Sequence, residues 1–155
     1  MKKIVALVGV GVLSLAFISS TCSSHAGESI SSNTEKLAPA QGITFKKKSF
    51  EEAKKEAKKS GKLIFIDAYT DWCGPCKRMA ATSFKDAKVG EMFNKNFVNM
   101  KVEMEKDADG PELARKYRVV AYPTLLIVDG NGKLVKQAVG MKSSDQLIAL
   151  AKSVL

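Results

Sequence analysis

The sequence is poor in the residues that build metal centres and disulfide frameworks. Its 155 residues include three cysteines and one histidine, too few for a small disulfide-framed protein or for a multi-histidine metal centre. Four prolines and 11 glycines exclude Pro-rich and collagen-like architectures. No apolar run reaches the length of a membrane-spanning helix, about 20 residues. What is present, 45% hydrophobic and 26% charged residues, is the composition of one ordinary globular domain.

The first 26 residues have the composition of an export signal. Two lysines precede a mainly apolar stretch of 15 residues, 4–18, which suits a signal sequence and is short for a membrane span. Ser24 and Ala26 place small residues at the positions that a signal peptidase recognises. We therefore expect residues 1–26 to be a signal peptide. Its removal takes away two lysines and no acid, which lowers the net charge from +9 to +7.

A second processing route would place a lipid on Cys22. The residues Ser19, Ser20 and Thr21 before it resemble the end of a bacterial lipoprotein signal, in which the cysteine is acylated. In that case residues 1–21 would be removed and Cys22 would tether the protein to a membrane. The large aliphatic residue and the small residue that usually precede such a cysteine are missing, so cleavage after Ala26 is our first interpretation. Both routes predict export to the bacterial periplasm or cell envelope.

Residues 27–42 and 43–155 differ in pattern. The first segment is rich in serine and alanine and has no periodicity, which is typical of a flexible linker. The second alternates strand and helix patterns and is expected to be one domain. Its predicted strands are 43–45, 63–69, 98–104, 124–128 and 133–139, and its predicted helices begin near 49, 73, 87, 111 and 143.

Local signals support these boundaries. Ser49 with Glu52, and Ser143 with Gln146, form capping boxes that start helices. Gly61 is placed to end the first helix. Asp-Gly-Asn-Gly at 129–132 is a strong hairpin signal between two strands. The alternation of strands and helices, closed by two consecutive strands and a last helix, predicts an α/β fold with a mixed central sheet and helices on both faces.

Two cysteines lie where a buried strand meets a helix, in the segment Trp72-Cys73-Gly74-Pro75-Cys76-Lys77. Their spacing places the two sulfurs one helical turn apart on one face, within disulfide distance. The free N–H groups and the dipole of a helix N-terminus favour an anion, so we expect Cys73 to ionise more readily than Cys76. Pro75 in the first turn interrupts no helical hydrogen bond.

Two other roles are compatible with this spacing of the cysteines. Two cysteines with this spacing often supply half of the ligands of a zinc site. Zinc needs about four ligands, however, and no other cysteine or histidine occurs after residue 26. A purely structural disulfide remains possible, although so small a loop constrains the unfolded chain little. A redox role is favoured because the motif stands at a strand-to-helix junction. We expect neither a metal nor another cofactor.

Residues 43–155 resemble the thioredoxin-fold thiol–disulfide oxidoreductases, and the motif at 72–77 is that of thioredoxin itself. The segment 69–89 is similar also to the periplasmic thiol domain of transmembrane disulfide reductases. The resemblance implies the thioredoxin fold, with Cys73 and Cys76 as the catalytic pair. It also implies a reducing role, because Gly-Pro is the dipeptide that reductases of this fold carry between their cysteines.

Asp67 is an acid within an otherwise apolar strand, a position that disfavours aspartate. Desolvation there would raise its pKa. The resemblance implies that Asp67 takes the proton of the resolving cysteine, while a water-facing position at a strand edge is the structural alternative. Lys101 matches the lysine that thioredoxins place near this acid; a plain surface lysine is its alternative.

The resemblance also implies a substrate-binding rim around the cysteines. Pro123 matches a cis proline that faces the cysteines, and Gly140 matches a glycine where the substrate backbone approaches, or is simply a turn glycine. Trp72 would cover the edge of the site, as a hydrophobic plug or as a substrate contact. The predicted substrate-binding residues are Trp72, Gly74, Pro75, Tyr122, Pro123 and Gly140.

The expected activity is the reduction of protein disulfides by a monomeric enzyme, with a membrane electron donor that re-reduces the cysteine pair. Three alternatives stay open. The protein could be a disulfide oxidase or isomerase, a reductant for cytochrome c maturation, or a non-catalytic binding module of the same fold.

The basic surplus suggests nucleic-acid or membrane binding at first sight. Seven lysines cluster around the first helix, but three glutamates are interleaved with them and no aromatic stacking motif accompanies them. We interpret this cluster as a solvated helix face and expect no nucleic-acid partner. Weak attraction to an anionic membrane or an acidic partner is the remaining possibility. The lysines are Lys46, Lys47, Lys48, Lys54, Lys55, Lys58 and Lys59.

Overall fold

A computed structural model describes residues 41–155. The predicted signal, Cys22 and almost all of the linker lie outside these residues. The elements are α1 (Phe50–Ser60), β1 (Leu63–Tyr69), α2 (Gly74–Ala81), a 3-10 turn (Ser83–Lys85), α3 (Ala87–Asn96), β2 (Phe97–Glu103), α4 (Gly110–Lys116), β3 (Thr124–Val128), β4 (Leu134–Val139) and α5 (Ser144–Lys152). Within the described part of the chain, no helix is long and apolar enough to cross a membrane.

The strands form one mixed sheet in the order β2-β1-β3-β4. β1 runs parallel to β2 and antiparallel to β3, and β3 pairs with β4 in an antiparallel hairpin. In this register Asp67 of β1 stands between Lys101 of β2 and Leu125 of β3. The predicted α/β fold with a mixed sheet is confirmed.

Each face of the sheet carries its own hydrophobic core. Because side chains alternate along a strand, Ile64, Ile66 and Ala68 of β1 pack on one face, with α1 and α4. Phe65 packs on the other face, with α2, α3 and α5. Asp67 follows Phe65 by two residues, so its side chain lies on the face that carries α2.

Helix α1 begins and ends at the residues that its capping signals predict. Ser49 Oγ accepts a hydrogen bond from Glu52 N, and Glu52 Oε2 accepts one from Ser49 N at 2.8 Å. Gly61 ends the helix in the left-handed conformation, with φ of 70°, which glycine adopts without strain. Asp109 Oδ2 accepts a further hydrogen bond from Phe50 N at 2.7 Å, which ties α1 to the start of α4.

The predicted strand at 43–45 is wrong. This segment is extended but forms no ladder, because the backbone N–H groups of residues 43–46 bond to three separate places. Ile43 N donates to Phe84 O at 2.8 Å, and Thr44 N donates to the side chain of Asn94 at 2.8 Å. Only Lys46 N bonds to β2, through Asn99 O at 3.1 Å. The other boundaries differ from prediction by a few residues: α3 continues to Asn96 and β2 begins at Phe97.

The extended segment fits against α3 through a close backbone approach at Gly90. A Cβ atom at this glycine would lie 1.9 Å from Gln41 O and 2.5 Å from Gly42 C. Gly90 is helical, and alanine is intrinsically the better helix former by about 1 kcal/mol. At this position the overlap of an added Cβ with residues 41–42 therefore opposes the helix propensity that favours alanine.

We predict that Gly90→Ala destabilises the domain by about 1–3 kcal/mol, the usual cost of overpacking, because the added methyl displaces residues 41–42. Urea denaturation followed by circular dichroism measures the free energy of unfolding. The matched control is Gly74→Ala, since a Cβ at Gly74 has no neighbour within 4 Å. Equal stabilities of the two variants would contradict the prediction.

Candidate active site

The two cysteines stand at the end of the central strand. β1 ends at Tyr69, and Cys73 N donates a hydrogen bond to Thr70 O at 3.1 Å, which closes the turn into α2. Cys73 is the N-cap residue of α2, and Pro75 occupies its first turn, where a missing N–H removes no helical hydrogen bond. Cys76 lies one helical turn further on.

Cys73 and Cys76 are joined by a disulfide bond, with 2.10 Å between the sulfurs and 5.3 Å between the Cα atoms. Cys76 N donates to Cys73 Sγ at 3.1 Å. Such an N–H group at a helix N-terminus also favours a thiolate when the disulfide is reduced. Both residues are buried, beneath a turn whose other members, Trp72, Gly74 and Pro75, are exposed. In residues 41–155 no three metal-ligating side chains come together.

Asp67 is completely buried on the face of β1 that carries α2, so the alternative of a water-facing acid does not hold. Lys101 Nζ lies 3.2 Å from Asp67 Oδ2 in an ion pair, but neither carboxylate oxygen accepts a well-aligned hydrogen bond from the described residues. Burial raises the pKa of Asp67 from 3.8 to about 6, and the charge of Lys101 opposes the rise.

Lys101 stands where the resemblance implied, opposite Asp67 in the neighbouring strand. Three aromatic rings surround its ammonium group, with centroids 4.4 Å away for Tyr69, 5.6 Å for Phe45 and 6.0 Å for Phe84. Cation–π contacts of this kind hold an ammonium group in place while part of it stays hydrated. Lys101 is therefore more than a surface lysine: it is the counter-ion of the buried acid.

Trp72 is 67% exposed and does not plug the core. Its ring meets Tyr122 edge to face, with 5.9 Å between centroids. Its indole Nε1 donates to both carboxylate oxygens of Glu105, at 3.1 and 3.0 Å. The indole thus forms a fixed, solvent-facing rim next to Cys73.

The Tyr122–Pro123 peptide bond is cis, as the resemblance implied. Gly140 lies beside it, because Gly140 N donates to Pro123 O at 2.7 Å. Gly140 has a φ of 84°, a conformation that favours glycine. β3 begins at Thr124, which pairs with Ala68 near the end of β1. The sheet register therefore brings Pro123 and Gly140 to the same end of the sheet as the cysteines.

Sequence reasoning missed the residues that hold the active-site turn from the side of β2. Glu103, Glu105 and Lys106 all bond to Asp71 or Trp72. The sequence showed only a charged stretch after a strand, which is typical of any surface loop. No local pattern indicated that Glu103 is buried or which backbone groups it contacts.

A cysteine pair at the N-terminus of a helix, a buried carboxyl group on the preceding strand and a cis proline beside them define the class of thioredoxin-fold thiol–disulfide oxidoreductases. Residues 50–155 match the family model described as a thioredoxin-like domain. The chain belongs to this family.

Individual relatives agree with this assignment. The chain is 35% identical to a thioredoxin of Chlamydia trachomatis serovar D over 88 residues, which cover 57% of this chain and 78% of that protein. It is 30% identical over 108 residues to the thiol:disulfide interchange protein DsbD of Colwellia psychrerythraea, which covers 67% of this chain but only 18% of that much longer protein.

A solved structure is also similar. The solution structure of a proposed disulphide-isomerase from Bacteroides thetaiotaomicron shares 44% sequence identity with this chain, at a TM-score of 0.65. The match covers 76% of this chain and 99% of that one.

The raised pKa of Asp67 predicts how stability depends on pH. A carboxyl group that binds protons more tightly in the folded than in the unfolded state makes the fold less stable as the pH rises from about 3.8 through about 6. Asp67→Asn removes this loss, so the variant should be more stable than the parent above about pH 7, by at most about 3 kcal/mol. Urea denaturation at about pH 4 and about pH 8 measures the difference.

The exposed Asp145→Asn, which removes the same charge from the first turn of α5, serves as the control. A negative charge in the first turn of a helix is favourable, so Asp145→Asn should not become more stable than the parent at about pH 8. A stability difference for Asp67→Asn that is the same at both would show that the carboxyl group titrates normally.

Proposed function

We propose that this protein is an exported protein-disulfide reductase that works through a Cys73–Cys76 dithiol–disulfide cycle. The observation that carries the proposal is the joint placement of this cysteine pair at the N-terminus of α2 and of the buried Asp67 on β1. The first group supplies a nucleophile and a resolving thiol, and the second supplies a proton acceptor.

In the first step the thiolate of Cys73 attacks one sulfur of a substrate disulfide. A bond forms between Cys73 Sγ and that sulfur, the substrate S–S bond breaks, and the second substrate sulfur leaves as a thiolate that takes a proton from water. The N–H of Cys76, 3.1 Å from Cys73 Sγ, stabilises the attacking thiolate.

In the second step Cys76 resolves the mixed disulfide. Asp67 takes the proton from the Cys76 thiol, and the resulting thiolate attacks Cys73 Sγ. The first substrate sulfur leaves and is protonated. Two electrons have then passed to the substrate, and the protein holds the Cys73–Cys76 disulfide that the structure contains. A carboxyl group with a pKa of about 6 suits this proton transfer near neutral pH.

The substrate would lie across the rim formed by the exposed Trp72 and the segment around Pro123. Trp72, Gly74 and Pro75 face solvent, and the hydrogen bond between Gly140 N and Pro123 O aligns two backbone segments beside them. An extended substrate segment that carries the disulfide fits such a rim, and Tyr122 would contact it together with Trp72.

The proposal also includes the direction of electron transfer, towards the substrate, and the location of the protein in the cell. Gly74-Pro75 between the cysteines favours reduction, and an oxidised product in an oxidising compartment needs a continual supply of electrons. Similarity to a DsbD protein supports a membrane donor for them. The signal at residues 1–26, or a lipid on Cys22, would place the enzyme in the periplasm or at the cell envelope.

Disulfide isomerisation is the second candidate, and the 44% identity to a proposed disulphide-isomerase favours it. Isomerisation uses the same first step. It differs because Cys73 leaves the substrate after the disulfide has been rearranged, so that the cysteine pair undergoes no net oxidation.

We predict that Cys76→Ser accumulates mixed disulfides with its substrates, because Cys73 can attack but nothing resolves the adduct. Non-reducing gels of the purified variant, incubated with a disulfide-containing protein, show the adducts. Cys73→Ser is the matched control and should form none and turn over no substrate. If Cys76→Ser remains free of adducts, Cys76 does not act as the resolving residue.

The reduction potential separates the two candidate functions. A reductase is expected near about −270 mV and an isomerase near about −180 mV. Equilibration of the cysteine pair with glutathione buffers, followed by alkylation and mass measurement, gives the value. A potential near the higher figure, together with refolding of scrambled ribonuclease in the absence of a reductant, would replace the reductase proposal with isomerisation.

A further inference from the structure

A second buried carboxylate lies beside the active site, and the exchange steps do not use it. Glu103 is the last residue of β2, is 3% exposed and pairs in register with Tyr69, the last residue of β1. A buried carboxylate is strongly unfavourable unless it is hydrogen-bonded. Its hydrogen-bond partners therefore indicate what the burial achieves.

The carboxylate of Glu103 joins two backbone segments. Oε1 accepts a hydrogen bond from Asp71 N at 3.0 Å, in the turn that leads to Cys73. Oε2 accepts hydrogen bonds from Glu105 N at 2.8 Å and Lys106 N at 2.5 Å, in the loop that follows β2. Hydrogen bonds to an ionised acceptor are about twice as strong as neutral ones.

The loop after β2 contacts the same turn through its side chains. Glu105 binds the indole Nε1 of Trp72, and Lys106 Nζ lies 2.6 Å from Asp71 Oδ2. Exposed pairs of this kind contribute little by themselves. They join the same two backbone segments that the carboxylate of Glu103 joins.

Hydrogen bonds within this loop also link its first residues to Asp107. Asp107 Oδ2 accepts a hydrogen bond from Glu103 N at 2.8 Å, and Asp107 N donates to Glu103 O at 3.0 Å. Met104 N donates to Tyr69 O at 2.9 Å, which continues the pairing of β1 and β2 past their ends. Glu103 is thus fixed on its own strand, and the bond to Asp71 N is its one contact with the active-site turn among the hydrogen bonds of the described residues.

We propose that Glu103 is a positioning residue for disulfide exchange: its carboxylate holds the turn at 70–73 so that Cys73 and Trp72 face the substrate together. The inference rests on the proposed function, because it assigns the bond to a reaction at Cys73. A small misplacement of a reacting group lowers rates by large factors, so a residue outside the reacting atoms can control turnover.

Glu103→Asp tests this role. The shorter side chain keeps the charge and can still accept hydrogen bonds from the N–H groups two and three residues on, as aspartate does in turns. It no longer reaches Asp71 N. The expected results are a roughly tenfold lower rate constant for the reduction of insulin disulfides and a lower fluorescence anisotropy of Trp72, the single tryptophan of the chain, measured in the oxidised protein.

Glu91→Asp, on the exposed face of α3, is the matched control and should change neither quantity. A merely structural role would lower the denaturation midpoint of Glu103→Asp but leave the rate and the anisotropy of the folded protein at their parental values. That result would overturn the proposal. If Glu103→Asp does not fold, Glu103→Gln takes its place, because one amide oxygen can serve only one of the two segments.

The anisotropy measurement keeps the two proposals apart. If the parent protein fails to reduce insulin, the reductase proposal fails, but the lower anisotropy of Trp72 in Glu103→Asp still supports the positioning of the turn. If the parent protein reduces insulin and Glu103→Asp retains the parental anisotropy and rate, only the role of Glu103 is overturned.

Discussion

The burial of one carboxyl group on the central strand is the constraint on which the proposed chemistry depends. Asp67 sits between β2 and β3 with no exposed surface, and Lys101 supplies the only opposite charge within contact distance in the described part of the chain. The single ion pair does not compensate the lost hydration, so the carboxyl group keeps its proton up to about pH 6. Asp67 is the one acid of β1, and the turn that carries Cys73 follows this strand.

Strand β2 supports the site at two successive positions of the same face. Lys101 pairs with Asp67 and Glu103 pairs with Tyr69, and residues two apart in a strand point in the same direction. One of them neutralises part of the buried charge, and the other fixes the turn that carries Cys73. A parallel partner strand is well suited to this task, since its carboxyl end lies beside the carboxyl end of β1.

Most of the fold could be predicted because its signals are local. The capping boxes at Ser49 and Ser143 and the left-handed Gly61 act within a few residues, and the structure contains all three. The segment 43–45 could not be predicted, because its backbone partners are Phe84 and Asn94, far away in the chain. The placement of Lys101 and the cis bond at Pro123 followed from the resemblance, not from periodicity.

The two buried acids show what decides the role of such a group. Asp67 accepts no well-aligned hydrogen bond within residues 41–155, so its anion is poorly stabilised, as the proposed proton transfer from Cys76 requires. Glu103 accepts three backbone hydrogen bonds, so its carboxylate is suited to hold structure. Burial alone does not distinguish a proton acceptor from a positioning group, because both acids are almost fully removed from solvent. The number of N–H groups that donate to each carboxylate distinguishes the two roles. These N–H groups belong to backbone segments that come together only when the sheet has formed.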